Sequence, residues 1–140
     1  MSVAHQATAV AIDGRAVLIE GPPGSGKSSL ALALIDRGAV LIGDDAVMLE
    51  VVGGRLLASP HPNVVGLIEV RNVGLVTMPV ARAVPVALVL LLDPDAPRHI
   101  EAAETVGRAG IGLPMLRLWP DSPVLELRAE LALRQHGRKP

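Results

Sequence analysis

The residues most able to do chemistry lie in one octet, Gly21-Pro22-Pro23-Gly24-Ser25-Gly26-Lys27-Ser28. It fits G-x-x-x-x-G-K-[ST] at every fixed position, the pattern of a phosphate-binding loop. Glycines let the backbone wrap an anion with its N–H groups turned inward, and a following helix adds its positive N-terminal end. Lys27 would neutralise the β- and γ-phosphates of a nucleotide, and Ser28 would ligate Mg²⁺. Residues 21–29, through Ser29, are the candidate nucleotide-binding segment. Loose glycine motifs arise easily in a chain with 14 glycines. This one also carries its Lys and Ser, a β-prone run ending at Glu20, and a helical pattern beginning near Lys27.

Two carboxylates, Asp44 and Asp45, end the next β-prone run, where the metal-binding acid of such sites commonly falls. Neighbouring strand residues point to opposite sides, so the two should have different jobs. One would serve the metal shell, the other would act as base toward an incoming hydroxyl. The bland alternative is a solvated turn. Glu69 and Arg71 share one strand face by alternation, and an exposed ion pair is an equal reading. His5, His61, His99 and His136 carry no signal beyond exposed polar residues. Arg98 follows a proline loop, a place for a mobile arginine or for a solvated side chain.

The elements that must position these groups read as alternating short strands and few helices. Ala7–Ile12 and Ala16–Glu20 flank Asp13-Gly14, a pair suited to a type I′ hairpin turn. Ser28–Arg37 reads as a helix with Leu30, Leu34 and Ile35 on one face and Gly38 past its end. Val40–Gly43 is a buried strand. Ala46–Val52 and Arg55–Ser59 form a second hairpin about Gly53-Gly54. Leu67–Met78 is β-prone with interruptions at Asn72 and Gly74. Val84–Asp93 is the expected central strand. Arg98–Gly107 is assigned a short helix, Gly110–Pro114 a loop and Met115–Trp119 a strand. A last helix is expected from a Ser122 cap and Pro123 through Arg134, half-burying Leu125, Leu127, Leu131 and Leu133. Residues 135–140 are expected to be a disordered tail.

Composition narrows the function. The chain has 140 residues, 13 Lys+Arg against 14 Asp+Glu, and net charge −1. That length suits one domain, residues 1–140. Near-neutral charge and a single aromatic residue, Trp119, argue against a nucleic-acid partner. No cysteine is present, which removes thiolate chemistry and fits a reducing, cytoplasmic setting. The longest apolar run, Val86–Leu92, is far short of a membrane span of about 20 residues. With no Phe or Tyr to grip a base, nucleotide base selectivity should be weak.

Taken together, these residues resemble HPr kinase/phosphorylase in its C-terminal catalytic domain. The likeness spans His5 to about Trp119. It rests on His5, the glycine-rich loop, Arg37-Gly38, Asp44-Asp45, and Glu69-Val70-Arg71-Asn72-Val73-Gly74-Leu75 against a signature of the form E-[IV]-R-G-[LV]-G-[IL]. Asn72 stands at a signature glycine, and Pro22-Pro23 removes two amide donors. The resemblance implies an α/β fold: a P-loop kinase core with mixed β-sheet and hairpins, like the nucleotide domain of phosphoenolpyruvate carboxykinase. It implies ATP- and Mg²⁺-dependent phosphorylation of a serine of the phosphocarrier protein HPr, with reverse phosphorolysis yielding pyrophosphate. Asp45 would be the general base and, protonated, the acid of the reverse reaction. His5 would orient Asp45, and Lys27 would stabilise phosphoryl charge. Ser28, Glu69 and Asp44 would serve the metal, and Arg98 would be the catalytic arginine with Arg108 in reserve. Gly110–Pro114 would be the loop linked to dephosphorylation. A cytoplasmic homo-oligomer of the short form, without a regulatory N-terminal domain, is expected. Two other classes remain: a small-molecule P-loop kinase and a non-catalytic nucleotide sensor.

Overall fold

The computed structural model describes residues 1–140. Its first hairpin joins β2 (Thr8–Ile12) to β3 (Arg15–Glu20), with Asp13 at φ 49° and Gly14 at φ 78°, the left-handed pair the turn requires. β3 leads into the glycine loop, and α1 (Lys27–Asp36) follows. Gly38 takes φ 109°; its N–H donates to Ile35 O and that of Ala39 to Leu34 O, closing the helix in a Schellman motif. β4 (Val40–Gly43) has the expected bounds.

The second hairpin, β5 (Val47–Val52) and β6 (Arg55–Pro60), turns on Gly53-Gly54, both at positive φ. Its outer edge pairs with β1 (Ser2–His5) in antiparallel register, His5 opposite Val47. β7 (Leu67–Val70) and β8 (Gly74–Thr77) form a separate two-stranded sheet.

β9 (Val84–Leu92) is the central strand, as its unbroken apolar run predicts. It pairs in parallel with β3, and on its other side first with β6 and then with β11 (Ile111–Leu118). Nine strands join in one curled sheet, in the order β1-β5-β6-β9-β3-β2-β4 with β11 and then β10 (Glu104–Arg108) branching from β9. α1 and α2 (Leu125–His136) cover one face, around Val17, Ile19, Leu30, Leu34, Leu90 and Leu133. The opposite core, around Leu18, Ile42, Leu49, Leu56, Val89 and Leu113, lies between the sheet and its own curled arms. Both cores are aliphatic, as the composition demands.

Four expectations change. Arg98–Gly107 is not a helix: β-branched Thr105 and Val106 pair in β10, and the chain before them is irregular. Gly110–Pro114 is not a loop. Ala109 (φ 50°) and Gly110 (φ 80°) make a tight turn, and β11 begins at Ile111. Pro114 is tolerated there because β11 is paired to β10 alone until Met115. The last helix starts at Leu125 and turns Leu125, Ala129, Ala132 and Leu133 inward, leaving Leu127 and Leu131 exposed. The tail is tied down: Gln135 and His136 are helical, and Arg138 N–H donates to Ala87 O. No helix is long and apolar enough to cross a membrane.

Candidate active site

The octet begins where β3 stops and ends in the first turn of α1. Gly21 (φ 154°) leaves little room for a side chain: a Cβ would stand 2.7 Å from Ser25 Oγ and 3.3 Å from Leu92. Gly24 (φ 78°) and Gly26 (φ 100°) complete the wrap, and Gly26 caps the helix. The first intrahelical bond runs from Leu30 N–H to Gly26 O. The amides of residues 26–29 thus have no helical acceptor and aim at the space before the helix. Lys27 Nζ folds over the loop, donating to Gly21 O (2.9 Å) and Pro22 O (3.2 Å).

Asp44, just past β4, ties the site together. Its Oδ1 accepts from Ser28 Oγ (2.6 Å) and Thr8 Oγ1 (3.1 Å), and its Oδ2 accepts from the Glu69 amide (3.0 Å). One carboxylate so links β2, α1 and β7. Thr8 is wholly buried and also accepts the Asp45 N–H (3.2 Å). Asp45, in the left-handed region at φ 67°, keeps its carboxylate exposed. These groups line an open cleft of about 300 Å³ with Pro23, Gly24, Gly26, Lys27, Ser28, Ser29, Glu69 and Arg71, and no hydrophobic side chain among them.

Of the expected site residues, Lys27, Ser28, Ser29, Asp44, Asp45 and Glu69 converge. Gly21 and Pro22 support the loop from behind, and Ser25 turns away, its N–H bound to Pro22 O and its Oγ buried without a partner. His5 is not bonded to Asp45. Its Nε2 donates to Glu20 Oε2 at 2.7 Å, a half-buried carboxylate at the end of β3. Arg98 lines a different cavity, of about 390 Å³, with Trp119 and Arg128. Arg108 is held bidentately by Glu20, Nη2 to Oε1 at 2.6 Å and Nε to Oε2 at 3.0 Å. The guanidinium that lines the cleft is Arg71, which sits in the β7–β8 turn and makes no ion pair with Glu69.

Glu20 and Thr8 carry more of this geometry than their sequence surroundings suggest. Burial pushes the Glu20 carboxyl up, but the hydrogen bonds from His5 and Arg108 and the Arg108 charge outweigh it and lower its pKa from 4.5 to about 2. The Glu20 hydrogen bond in turn raises that of Arg108. The available signal was a polar residue in an otherwise buried strand, Thr8 opening β2 and Glu20 closing β3. A buried polar group must find partners.

A family model of the HPr Serine kinase C-terminal domain matches residues 1–82, more than half of the chain. The chain belongs to this family. The matched span includes every residue lining the cleft and ends before Arg98 and Arg108. Among curated members, the HPr kinase/phosphorylase of Clostridium tetani is 41% identical over 70 residues, 50% of this chain and 23% of that protein. That of Mycoplasmopsis pulmonis is 42% identical over 69 residues, 49% and 22% respectively. The chain thus spans under a quarter of the length of these curated relatives. Over nearly its whole length it resembles the solved Hpr(Ser) kinase/phosphatase from Coxiella burnetii, with TM-score 0.84, 28% identity, and coverage of 94% of this chain and 88% of that one. The mixed α/β architecture with its curled sheet is the one this family's C-terminal domain shares.

Proposed function

We propose that the chain transfers the γ-phosphoryl group of ATP to a serine of an HPr-type phosphocarrier protein, and runs the reverse phosphorolysis. The observation that carries this reading is the Asp44 junction. It joins loop serine, strand and signature segment in one cleft, beside a carboxylate, Asp45, left free to take a proton. Free amides at the α1 N-terminus and the Lys27 ammonium suit the phosphates of a nucleotide.

The donor set fits a magnesium ion. Ser28 Oγ, Asp44 and Glu69 are hard oxygen donors. They are too few to enclose an ion unaided, as suits a metal completed by substrate phosphate and water. When bound, the ion neutralises charge on the phosphate oxygens.

The remaining chemistry belongs to the side chains. Asp45 accepts the serine proton as the serine oxygen bonds to the γ-phosphorus and the bond to the β–γ bridging oxygen breaks, releasing ADP. Lys27 and the loop amides bear the developing charge. In reverse, inorganic phosphate attacks the phosphoserine phosphorus, and Asp45 returns its proton to the departing serine oxygen, leaving pyrophosphate. Arg71 is the further cation available at the cleft.

The test is incubation with labelled ATP, Mg²⁺ and an HPr-type protein, followed by unlabelled phosphate. Label should enter the protein and then leave as pyrophosphate. Asp45→Asn should bind nucleotide normally and transfer none. Phosphorylation of a small metabolite alone, or transfer by the Asn variant at the wild-type rate, would contradict the proposal.

A further inference from the structure

The hairpin that brings Glu69 and Arg71 to the cleft also carries the two most exposed branched aliphatic side chains of the protein. Val73 is 73% exposed and Leu75 70%. In the antiparallel register of β7 and β8, Glu69 stands opposite Leu75, and Ile68 opposite Val76. Residues directly opposite share a face, with Cβ atoms about 5 Å apart. One face of the hairpin therefore sends Ile68, Val70 and Val76 into the helix-side core. The other face presents Glu69 to the cleft and Leu75 to solvent beside it.

The turn adds to this surface. Asn72 occupies the left-handed region at φ 67°, and the Val73 N–H donates to Val70 O at 3.0 Å. This fixes Val73 as an apolar tip two residues beyond Arg71. The pair pairs with no third strand. An acceptor small enough to enter a cleft without hydrophobic lining gains nothing from Val73 and Leu75. A folded protein that inserts one hydroxyl at Asp45 must lie across the cleft rim, and this hairpin forms one side of it, through Glu69 and Arg71.

We propose that the face of the β7–β8 hairpin formed by Val73 and Leu75 is the docking surface for the protein acceptor, which presents its serine next to a small apolar patch. The proposal rests on the phosphotransfer reading above. Arg71, between the apolar tip and the cleft, is placed to meet the acceptor's phosphate once it is formed.

The test measures steady-state phosphorylation of an HPr-type protein by the wild-type chain, Val73→Asp, Leu75→Asp and, as control, Val52→Asp. Val52 is 48% exposed at the far end of β5 from Asp45, roughly 20 Å along the strand. Each hairpin variant should raise KM for the protein at least tenfold, hold kcat within about twofold, and leave nucleotide affinity unchanged. The control should match wild type. Circular dichroism and sedimentation of each variant accompany the kinetics. Wild-type KM in both hairpin variants would overturn the docking surface while leaving the phosphotransfer reading intact. Dissociation of a wild-type oligomer by the hairpin variants, with KM unchanged, would assign the face to a second copy of the chain and overturn the proposal. Absence of phosphoprotein with the wild-type chain would refute the phosphotransfer reading, and the docking surface with it.

Discussion

Glu20 offers the most direct check on the electrostatics beside the glycine loop. Its carboxylate takes two hydrogen bonds from Arg108 and one from His5, and its pKa falls from 4.5 to about 2. A fall of that size corresponds to roughly 3 kcal/mol favouring the charged form in the folded state. The cluster sits at a solvent-touched rim, where side-chain exposures of 14% for Glu20 and 23% for Arg108 admit screening, and about 2 kcal/mol is the better figure. Because the folded pKa is depressed, this stability is present in full above pH 4.5 and is lost as pH falls toward 2. Glu20→Gln removes the charge and leaves Arg108 unmatched. It should lower the urea unfolding free energy at pH 7 by roughly 2 kcal/mol. The two proteins should then converge between pH 4.5 and 2.5, since Glu20 of the unfolded wild-type chain takes up its proton there while the folded carboxylate stays charged. Other carboxylates titrate equally in both proteins and cancel in the difference. A gap that stays constant from pH 7 to 2.5 would refute the reasoning, and so would a variant as stable as wild type at pH 7.

Gly21→Ala should cost about 2 kcal/mol in urea unfolding and weaken nucleotide binding, because its Cβ would press on Ser25 Oγ at 2.7 Å and on the Leu92 backbone at 3.3 Å. Equal stability of wild type and variant would count against the loop geometry. Asp44→Ala strands three donors, the Ser28 and Thr8 hydroxyls and the Glu69 amide. It should lower stability by about 2 kcal/mol and abolish the Mg²⁺ dependence of nucleotide binding, read by calorimetric titration with and without the metal. Loss of metal dependence with full stability would mean that the junction is not structural.

Local chemistry made much of the fold legible. Asp13-Gly14 and Gly53-Gly54 place hairpins because few other dipeptides accept two positive φ angles, and Gly38 ends α1 for the same reason. The uninterrupted aliphatic run of β9 marks a strand covered on both faces. The glycine turn between β3 and α1 was legible too, because Gly24 and Gly26 take positive φ there. The turn at Ala109-Gly110 was not, since an alanine at φ 50° gives no signal, and β10 and the start of β11 were lost with it. Long-range pairing was hidden as well. Arg108 lies 88 residues from Glu20, and only the curl of the β10–β11 arm across the second core brings them together. Sequence favours Arg98 for a phosphoryl group, with Arg108 in reserve. Packing sends one to the Trp119 cavity and the other to Glu20.

The two adjacent aspartates show how local backbone conformation overrides a sequence rule. On a continuous strand they would face opposite ways. β4 instead stops at Gly43, where a Cβ would stand 2.6 Å from Ala46 O and 2.8 Å from Val47 Cγ1, so the chain turns sharply there. Asp45 then takes φ 67°, a conformation that Asp tolerates better than most residues. The alternation is broken, and both side chains line one cleft. They still differ in state: the Asp44 carboxylate accepts three hydrogen bonds, whereas Asp45 contributes only its backbone N–H to the network. The Asp44 carboxylate holds two strands and a helix in register. The Asp45 carboxylate beside it accepts none of these bonds. The left-handed residue, costing on the order of 1 kcal/mol, is what puts a hydrogen-bonded acid and an exposed acid side by side at the mouth of the glycine loop.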